Sequence, residues 1–327
     1  MKALVPLALA CAWLLPAQTI AASDLAALES KVSAIAARAG GDVGVGLRHI
    51  QSGEAVLVRG RERFPMFSVY KLPISMTLLA RVDAGGVRLD EPVTLGPADL
   101  RPGLSTAVMS RVRDGRVTML VRDLIEAAVA ASDNTASDAI LRLAGGPAAV
   151  TAHVRGLGIN DLRVDRPEIQ MWADLYGITL PDPAGWTLEG LDALFRAPAP
   201  AQKQAATRRY LREDPRDTTT PEAVLALLGR VHARDALKPE TAAFVIEAMR
   251  KTTTGDGRIR GLLPAGTVAN KTGSGPATTN DVGIVTLPGA SGHIAIAVFV
   301  RDSPQDDAKR ERAIAEIARA AWDHWSR

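Results

Sequence analysis

The chain has 327 residues, of which 47% are hydrophobic and 23% are charged, a balance typical of globular proteins and unlike that of disordered or collagen-like chains. Its 39 Lys and Arg residues and 36 Asp and Glu residues give a formal net charge of +3, with both signs mixed along the sequence. Because nucleic-acid binding needs clustered basic residues, this pattern argues against a nucleic-acid partner.

Residues 1–22 are predicted to be an export signal. Lys2 precedes an apolar run over 3–15, and small residues at 21 and 22 lead into Ser23. The run is too short to span a membrane, so we expect a secreted, periplasmic bacterial protein that leaves the membrane after cleavage. The mature chain would lose Cys11, the only cysteine, and could form no disulfide. A buried N-terminal helix and a lipoprotein acylated at the cysteine are the alternatives.

Apolar spacing predicts strands near both ends of the chain and helices between them. In the first half it predicts a helix over 25–38, a strand hairpin over 43–47 and 55–58, and helices over 68–84 and 120–155, the last broken near 131 and near 145–147. In the second half it predicts helices over 187–197, 202–214, 221–230 and 239–249, strands over 267–270, 283–287 and 293–300, and a final helix that includes 314–322.

This order favours an α/β fold of the α+β sandwich kind. We expect strands from the N- and C-terminal parts to form one antiparallel sheet packed with helices, and an all-helical lobe to be inserted between them. Residues 23–327 are interpreted as one catalytic domain. Its α/β lobe would comprise about 23–65 and 222–327, and its helical lobe about 66–221, with the active site at the lobe interface.

The first motif, Ser68-Val-Tyr-Lys71, places a hydroxyl and an amine three residues apart on a predicted helix, and therefore on one face. A serine hydroxyl needs a nearby base to act as a nucleophile. A lysine can be that base if burial or a neighbouring cation lowers its pKa, and Lys271 could be the cation. The apolar residues 64–67 would help to bury the pair. The alternative is a helix N-cap beside a surface lysine.

The second motif, Ser132-Asp133-Asn134, lies where one predicted helix ends and another begins. Ser, Asp and Asn are the residues that helix N-termini prefer, so capping alone would explain them. The functional interpretation is that Ser132 relays a proton to a leaving nitrogen while Asn134 binds a substrate amide.

The third motif, Lys271-Thr272-Gly273, is followed by Ser274 and comes after a strand pattern. Small residues at a strand edge let a backbone N–H approach a ligand closely. We predict that the amides of Ser68 and Ser274 form an oxyanion hole. The alternative is a glycine-rich turn with an exposed lysine.

The three motifs in this order resemble those of the class A β-lactamases and their penicillin-binding relatives. The stretches 262–266 and 278–281 are also similar to that family, and Arg258 matches an arginine that helps to hold the substrate carboxylate. The resemblance implies a serine hydrolase that opens β-lactam antibiotics through an ester at Ser68 and confers resistance. It also implies that Lys271 supplies positive potential, and that substrate binding involves Asn134 and the group Thr272, Gly273 and Ser274.

Arg166-Pro-Glu168 matches the segment that carries the deacylation base in this family. Glu168 would activate the water that cleaves the ester, and would share the acylation base role with Lys71. The alternative is a solvated surface acid. The family usually has an asparagine four residues later to help hold that water, whereas this chain has Trp172, whose side chain offers only an N–H donor. Water positioning is therefore expected to differ.

Asp217 matches the acid that pairs with Arg166 to close this loop in the family. The stretch between Glu168 and Asp217 is several-fold longer than is usual there, with an insertion over about 173–216. Its two helical patterns predict a helical hairpin packed over or beside the active site.

We expect a monomer with a small-molecule β-lactam substrate and no metal or other cofactor, because the five histidines are scattered and no zinc-ligand spacing is present. Two alternatives remain. One is a D-Ala-D-Ala carboxypeptidase or esterase, which would lack the base at Glu168. The other is a sensor that traps the acyl adduct because Trp172 disturbs the water.

Overall fold

The structure is a computed structural model that describes residues 17–104 and 106–326. Most of the predicted signal peptide, up to residue 16, lies outside the described residues, and a helix begins at Ala17. Within the described ranges, no helix is long and apolar enough to cross a membrane.

Helices occupy most of the middle of the chain, and one further helix lies near each end of the described residues. They are α1 (Ala17–Ala39), α2 (Lys71–Asp83), α3 (Thr106–Met109), α4 (Val121–Ala130), α5 (Asn134–Leu143), α6 (Pro147–Gly156), α7 (Glu168–Tyr176), α8 (Leu188–Arg196), α9 (Pro200–Glu213), α10 (Pro221–Ala233), α11 (Pro239–Arg250) and α12 (Asp307–Trp325). The predicted breaks near 131 and 145–147 are confirmed, since α4, α5 and α6 are separate helices.

One five-stranded antiparallel sheet joins the two ends of the chain. The strands are β1 (Asp42–His49), β2 (Ala55–Val58), β3 (Phe64–Pro65), β4 (Pro92–Leu95), β5 (Val117–Leu120), β6 (Thr218–Thr219), β7 (Val268–Gly275), β8 (Thr278–Thr286) and β9 (His293–Arg301). The order in the large sheet is β2-β1-β9-β8-β7, with Val45 opposite Val298 and Val282 opposite Ala297. β3–β6 and β4–β5 form separate two-stranded pairs.

Alternating side chains of the sheet supply two hydrophobic cores, as expected for a strand buried on both faces. On β9, Ile294, Ile296, Val298 and Val300 pack with α1 and α12, whereas Ala295, Ala297 and Phe299 join the core of α2, α4, α5, α10 and α11. The predicted fold class is therefore confirmed. The proposed division into lobes stays an interpretation.

Two local features differ from the sequence-based expectation. The helix predicted from Ser68 begins as a short 3-10 turn, Phe67–Tyr70, and becomes α-helical only at Lys71. The third motif lies inside β7, because that strand continues to Gly275. The elements α3, β4 and β5 were not predicted, because elements of four residues are too short to display a periodic pattern.

One buried guanidinium holds the long loop closed. Arg166 Nε donates to Asp217 Oδ2 at 2.6 Å, which brings together the predicted loop pair. Its Nη1 donates to Asp174 and Asp214 at 2.7 and 3.0 Å, and its Nη2 donates to the Tyr210 hydroxyl at 3.0 Å. The last three partners belong to the insertion. Arg166 therefore holds both ends of the insertion next to Asp217.

Two further contacts fix the insertion to the rest of the protein. The Arg101 guanidinium lies over the Trp186 ring, 5.1 Å from its centroid, near the start of α8. Arg212, on α9, donates from Nε to Asp302 Oδ2 at 2.7 Å, just beyond β9. The insertion is therefore attached both to the segment around Arg101 and to the end of β9.

Arg166→Met is expected to lower the free energy of unfolding by about 3–5 kcal/mol, because it leaves a buried carboxylate cluster without its cation. Arg163→Met is the matched control. Arg163 pairs with Asp165 while 39% exposed, so its loss should cost less than about 1 kcal/mol. Urea denaturation of both variants measures the difference, and equal losses would contradict this role of Arg166.

A buried carboxyl lies within the sheet, on the strand next to the edge strand β7. Asp281, on β8, accepts hydrogen bonds from Asn270 Nδ2 at 2.9 and 3.1 Å and from the Ile259 amide at 3.1 Å. Burial raises the pKa of Asp281 to about 6 despite the opposing effect of these donors and of Arg258. Its ionisation therefore opposes folding at neutral pH.

The Asp281→Asn variant should remove this pH dependence. The pKa of Asp281 is higher in the folded state than in the unfolded state. The protonated carboxyl therefore contributes its full stabilisation of the fold only below about pH 4, and this contribution is lost as the pH rises through about 6. The difference in unfolding free energy, wild type minus variant, should fall by about 2.4 kcal/mol between pH 4 and 7, at about 1.4 kcal/mol per pK unit of the full shift. Urea titrations at four pH values measure it; a constant difference would refute the assignment.

Candidate active site

Ser68 lies in the 3-10 turn Phe67–Tyr70, which packs directly against β7. Phe67 has a φ of +47°, a conformation uncommon for a bulky side chain. A Cβ at Gly273 would overlap the Met66 carbonyl oxygen, and one at Gly275 would overlap the Phe67 ring. The glycines after Lys271 therefore allow the first and third motifs to meet.

Lys71 is completely buried beneath this turn. Its Nζ donates to the Ser132 carbonyl at 2.7 Å and to Asn134 Oδ1 at 2.8 Å, and lies 3.5 Å from Glu168 Oε2. Burial lowers the pKa of Lys71, and the Glu168 carboxylate opposes that effect. The amine is therefore closer to its neutral, basic form than a surface lysine would be.

The second motif divides capping and chemistry between its residues. Asp133 is the N-cap of α5, accepting from the Ala136 amide on Oδ1 and from the Val108 amide on Oδ2, both at 2.9 Å. Ser132 has a φ of +56° and lines the cavity, and it is not the residue that caps α5. The capping alternative thus applies to Asp133 and leaves Ser132 for another role.

Lys271 joins the third motif to the second. It is completely buried, and its Nζ donates to Ser132 Oγ and to the Thr272 carbonyl, both at 2.9 Å. Burial and the nearby charge of Lys71 hold the pKa of Lys271 well below its ordinary value. A buried cation in this position can stabilise developing negative charge at the Ser132 oxygen.

Arg258 does not line the cavity, although Ser274 and Thr272 do. Its guanidinium is 7% exposed and donates from Nη2 to Ser274 Oγ at 2.8 Å and from Nε to Glu311 at 3.0 Å. Nη1 donates to the Gly273 and Asn280 carbonyls at 3.3 and 3.0 Å. Any effect of this arginine on a bound carboxylate therefore passes through the Ser274 hydroxyl and the local potential.

Glu168 is the first residue of α7 and is 1% exposed. Its amide donates to Asp138 Oδ1 at 2.6 Å, and its Oε1 accepts from Trp172 Nε1 at 2.8 Å. Oε2 accepts no hydrogen bond from any residue that the structure describes and faces Lys71. One carboxylate oxygen is thus fixed by the indole, and the other is available for a reacting proton.

Asp138 is a functional residue that the sequence reasoning missed. Its Oδ2 accepts from Arg101 Nε at 2.6 Å while its Oδ1 holds the Glu168 amide, so it joins the loop around Arg101 to the start of α7. Burial raises the pKa of Asp138, and Arg101 opposes this effect. Its position four residues after Asn134 on one helix was the available signal, because such residues share a face.

These groups surround one cavity of about 440 Å³. Its walls carry residues of all three motifs and of the insertion: Ser68, Arg101, Pro102, Gly103, Leu104, Ser132, Asn134, Glu168, Ile169, Trp172, Tyr176, Asp192, Phe195, Arg196, Thr254, Thr272 and Ser274. Thr254, which the sequence reasoning did not select, shares a hydrogen bond with the Thr272 hydroxyl at 2.6 Å. The amines of Lys71 and Lys271 contact the cavity-lining residues from below.

Comparison with known proteins shows sequence similarity over most of the chain. The family model described as "Beta-lactamase enzyme family" matches residues 27–325. The extended-spectrum β-lactamase PER-1 of Pseudomonas aeruginosa is 30% identical, with 93% of this chain and 89% of the relative covered. The β-lactamase VEB-1 of the same species is 27% identical, with 86% and 85% covered.

Solved structures agree with the sequence comparisons. A β-lactamase from Chitinophaga pinensis DSM 2588 has a TM-score of 0.76 and 31% identity, with 91% of this chain and 98% of that chain covered. The ancestral class A β-lactamase of Gram-negative bacteria has a TM-score of 0.73 and 34% identity, with 90% and 98% covered. The chain therefore belongs to the class A serine β-lactamases and hydrolyses β-lactams.

Proposed function

We propose that this enzyme opens β-lactam antibiotics through an ester on Ser68. The hydroxyl oxygen attacks the lactam carbonyl and its proton passes to a base shared by Lys71 and Glu168. The carbon–nitrogen bond then breaks, Ser132 protonates the leaving nitrogen, and the proton taken from Ser68 passes from the shared base to Ser132. The buried Lys271 amine, 2.9 Å from Ser132 Oγ, supports this transfer electrostatically.

The amides of Ser68 and Ser274 are assigned to the oxyanion. The close packing of β7 against the turn at Ser68 supports this assignment, because Gly273 lets the two backbone segments approach without an intervening Cβ. Thr272 and Ser274 are assigned to the substrate carboxylate, with Arg258 acting through Ser274 Oγ. Asn134 is assigned to the substrate amide, alongside its bond to Lys71.

The observation that carries the hydrolytic proposal is the buried Glu168 carboxylate beside Lys71, in the wall of the same cavity as Ser68. Its Oε2 can take a proton from water as that water attacks the ester, after which the Ser68–carbonyl bond breaks and the ring-opened acid leaves. This supports the hydrolase over the carboxypeptidase alternative, which would lack the base. We further propose that the enzyme acts as a periplasmic monomer after loss of residues 1–22.

Glu168→Gln should trap the acyl-enzyme. Loss of a general base typically slows its step by about 10²–10⁴-fold, so the ester on Ser68 should accumulate. Intact-mass spectrometry after mixing with benzylpenicillin follows the adduct, with the exposed Glu189→Gln as the matched control.

Each result of that experiment has a defined meaning. A short-lived adduct in the unaltered protein and a persistent one in Glu168→Gln supports the proposal. A persistent adduct already in the unaltered protein supports the sensor alternative, and fast turnover by Glu168→Gln removes this carboxylate from the mechanism.

Trp172→Phe should slow deacylation by roughly tenfold, because a hydrogen bond to a charged group contributes about 1.5–3 kcal/mol. The variant retains an aromatic ring against Phe67 and Tyr176, 5.9 and 5.8 Å away between centroids, while removing the donor to Glu168 Oε1. Steady-state kcat and the acylated fraction measure the effect. Trp322→Phe is the control, since that tryptophan is partly buried on α12 against the core that α1 and α12 form. A faster Trp172→Phe enzyme would indicate that the indole impedes the water.

A further inference from the structure

The residues that line the catalytic cavity form two chemically different clusters, which we call its polar end and its apolar end. Hydroxyl groups and the buried lysine amine surround one end, formed by Ser132, Thr254, Thr272 and Ser274. The other end is formed by apolar and aromatic side chains: Leu104, Ile169, Trp172, Tyr176 and Phe195. Two of these, Tyr176 and Phe195, belong to the insertion, so the extra length of the loop supplies part of this wall.

The chemistry of a penicillin determines which part meets which end. Its carboxylate is attached beside the lactam nitrogen, and its acylamino side chain is attached beside the lactam carbonyl on the opposite side of the ring. If Ser132 faces the nitrogen and Thr272 and Ser274 bind the carboxylate, the side chain extends away from β7. It then points towards Trp172 and helix α8.

The aromatic wall is a continuous, anchored surface. The ring of Trp172 lies 5.8 Å from Tyr176, and the ring of Tyr176 lies 6.5 Å from Phe195, edge to face. Lys203 Nζ lies 5.3 Å from the centre of the Tyr176 ring and ties α9 to the same surface. Such ring pairs favour a further aromatic partner in an offset or edge-on geometry.

An exposed hydrophobic side chain faces the same space from the opposite loop. Leu104 is 46% exposed and is the large hydrophobic residue that stands out as exposed within the described ranges. It is held in place because its carbonyl accepts from the Asn134 amide at 2.7 Å. A ligand ring between Leu104 and the aromatic wall would remove apolar surface of both from water.

The two charged side chains that α8 contributes to the cavity wall have opposite signs. Asp192 and Arg196 both line it and lie one turn apart on α8, with opposite signs. A charged ligand group would therefore meet one attractive and one repulsive partner. This arrangement favours a neutral side chain over an anionic one.

We propose that the insertion adds to the β-lactamase cleft a subsite for a neutral aryl side chain of the substrate, with Phe195 of α8 as its outer wall. This inference rests on the proposed substrate orientation at Ser132 and Ser274. It makes the enzyme selective for β-lactams with an aromatic acyl group, such as a phenylacetyl group, over those without a side chain.

The test compares kcat/KM for benzylpenicillin, which carries a phenylacetyl group, with kcat/KM for 6-aminopenicillanic acid, which carries none. The ratio of the two values should fall about tenfold in Phe195→Ala, as expected when a buried aryl contact is lost. It should fall only about two- to threefold in Phe195→Leu, which retains apolar volume and guards against a folding defect in the alanine variant. Phe244→Ala, a truncation of a partly buried phenylalanine on α11, is the matched control and should retain the wild-type ratio.

The outcomes separate this inference from the proposed function. Hydrolysis of both penicillins with a selectivity ratio that falls only in the Phe195 variants supports the subsite. Hydrolysis of both with the same ratio in wild type and Phe195→Ala overturns the subsite and leaves the β-lactamase assignment intact. Hydrolysis of neither penicillin by the wild-type enzyme overturns the proposed function and the inference with it.

Discussion

Two lysine amines without solvent access constrain the centre of this protein. An unpaired charge in a protein interior is very costly, so Lys71 and Lys271 both need polar partners. The second motif supplies partners to both: the Ser132 carbonyl and Asn134 Oδ1 to Lys71, and the Ser132 hydroxyl to Lys271. The three motifs must therefore meet for the chain to fold as well as for it to react. Stability and catalysis depend on the same few hydrogen bonds, and the same burial that threatens stability lowers the pKa of both amines.

The catalytic carboxylate is positioned by a second set of contacts. Asp138 holds the Glu168 amide and Trp172 holds Oε1, so both the backbone and the side chain of Glu168 are fixed. Asp138 also accepts a hydrogen bond from Arg101, whose guanidinium packs against the Trp186 ring of the insertion. A continuous path of contacts thus connects the inserted helices to the base. We infer that the insertion could grow without loss of the site because it is anchored to residues that already position Glu168.

Much of the architecture could be predicted from local pattern. The alternation of side chains between the two cores on β9 and the helical spacing of apolar residues on α4 and α5 reflect burial directly. The three motifs identify the candidate reacting groups from the sequence alone. What local pattern could not give depends on distant contacts. The turn at Phe67 adopts its conformation because β7 packs against it, and Arg258 lies behind Ser274 because Glu311 and the Asn280 carbonyl hold it there. The hydrogen bond between Trp172 and Glu168 could have been predicted, since residues four apart on a helix share a face.

The strand order has a consequence for how the enzyme is made. β1 lies between β2 and β9, so the hairpin formed from the first strands gains its inner neighbour only when residues 293–301 exist. During synthesis the edge of β1 that will pair with β9 therefore stays unpaired until most of the chain has emerged from the ribosome. Lys271 also arrives late. A truncated product that ends before β9 would therefore carry all of the proposed catalytic side chains and yet lack the strand that joins the β1–β2 pair to the β7–β8 pair.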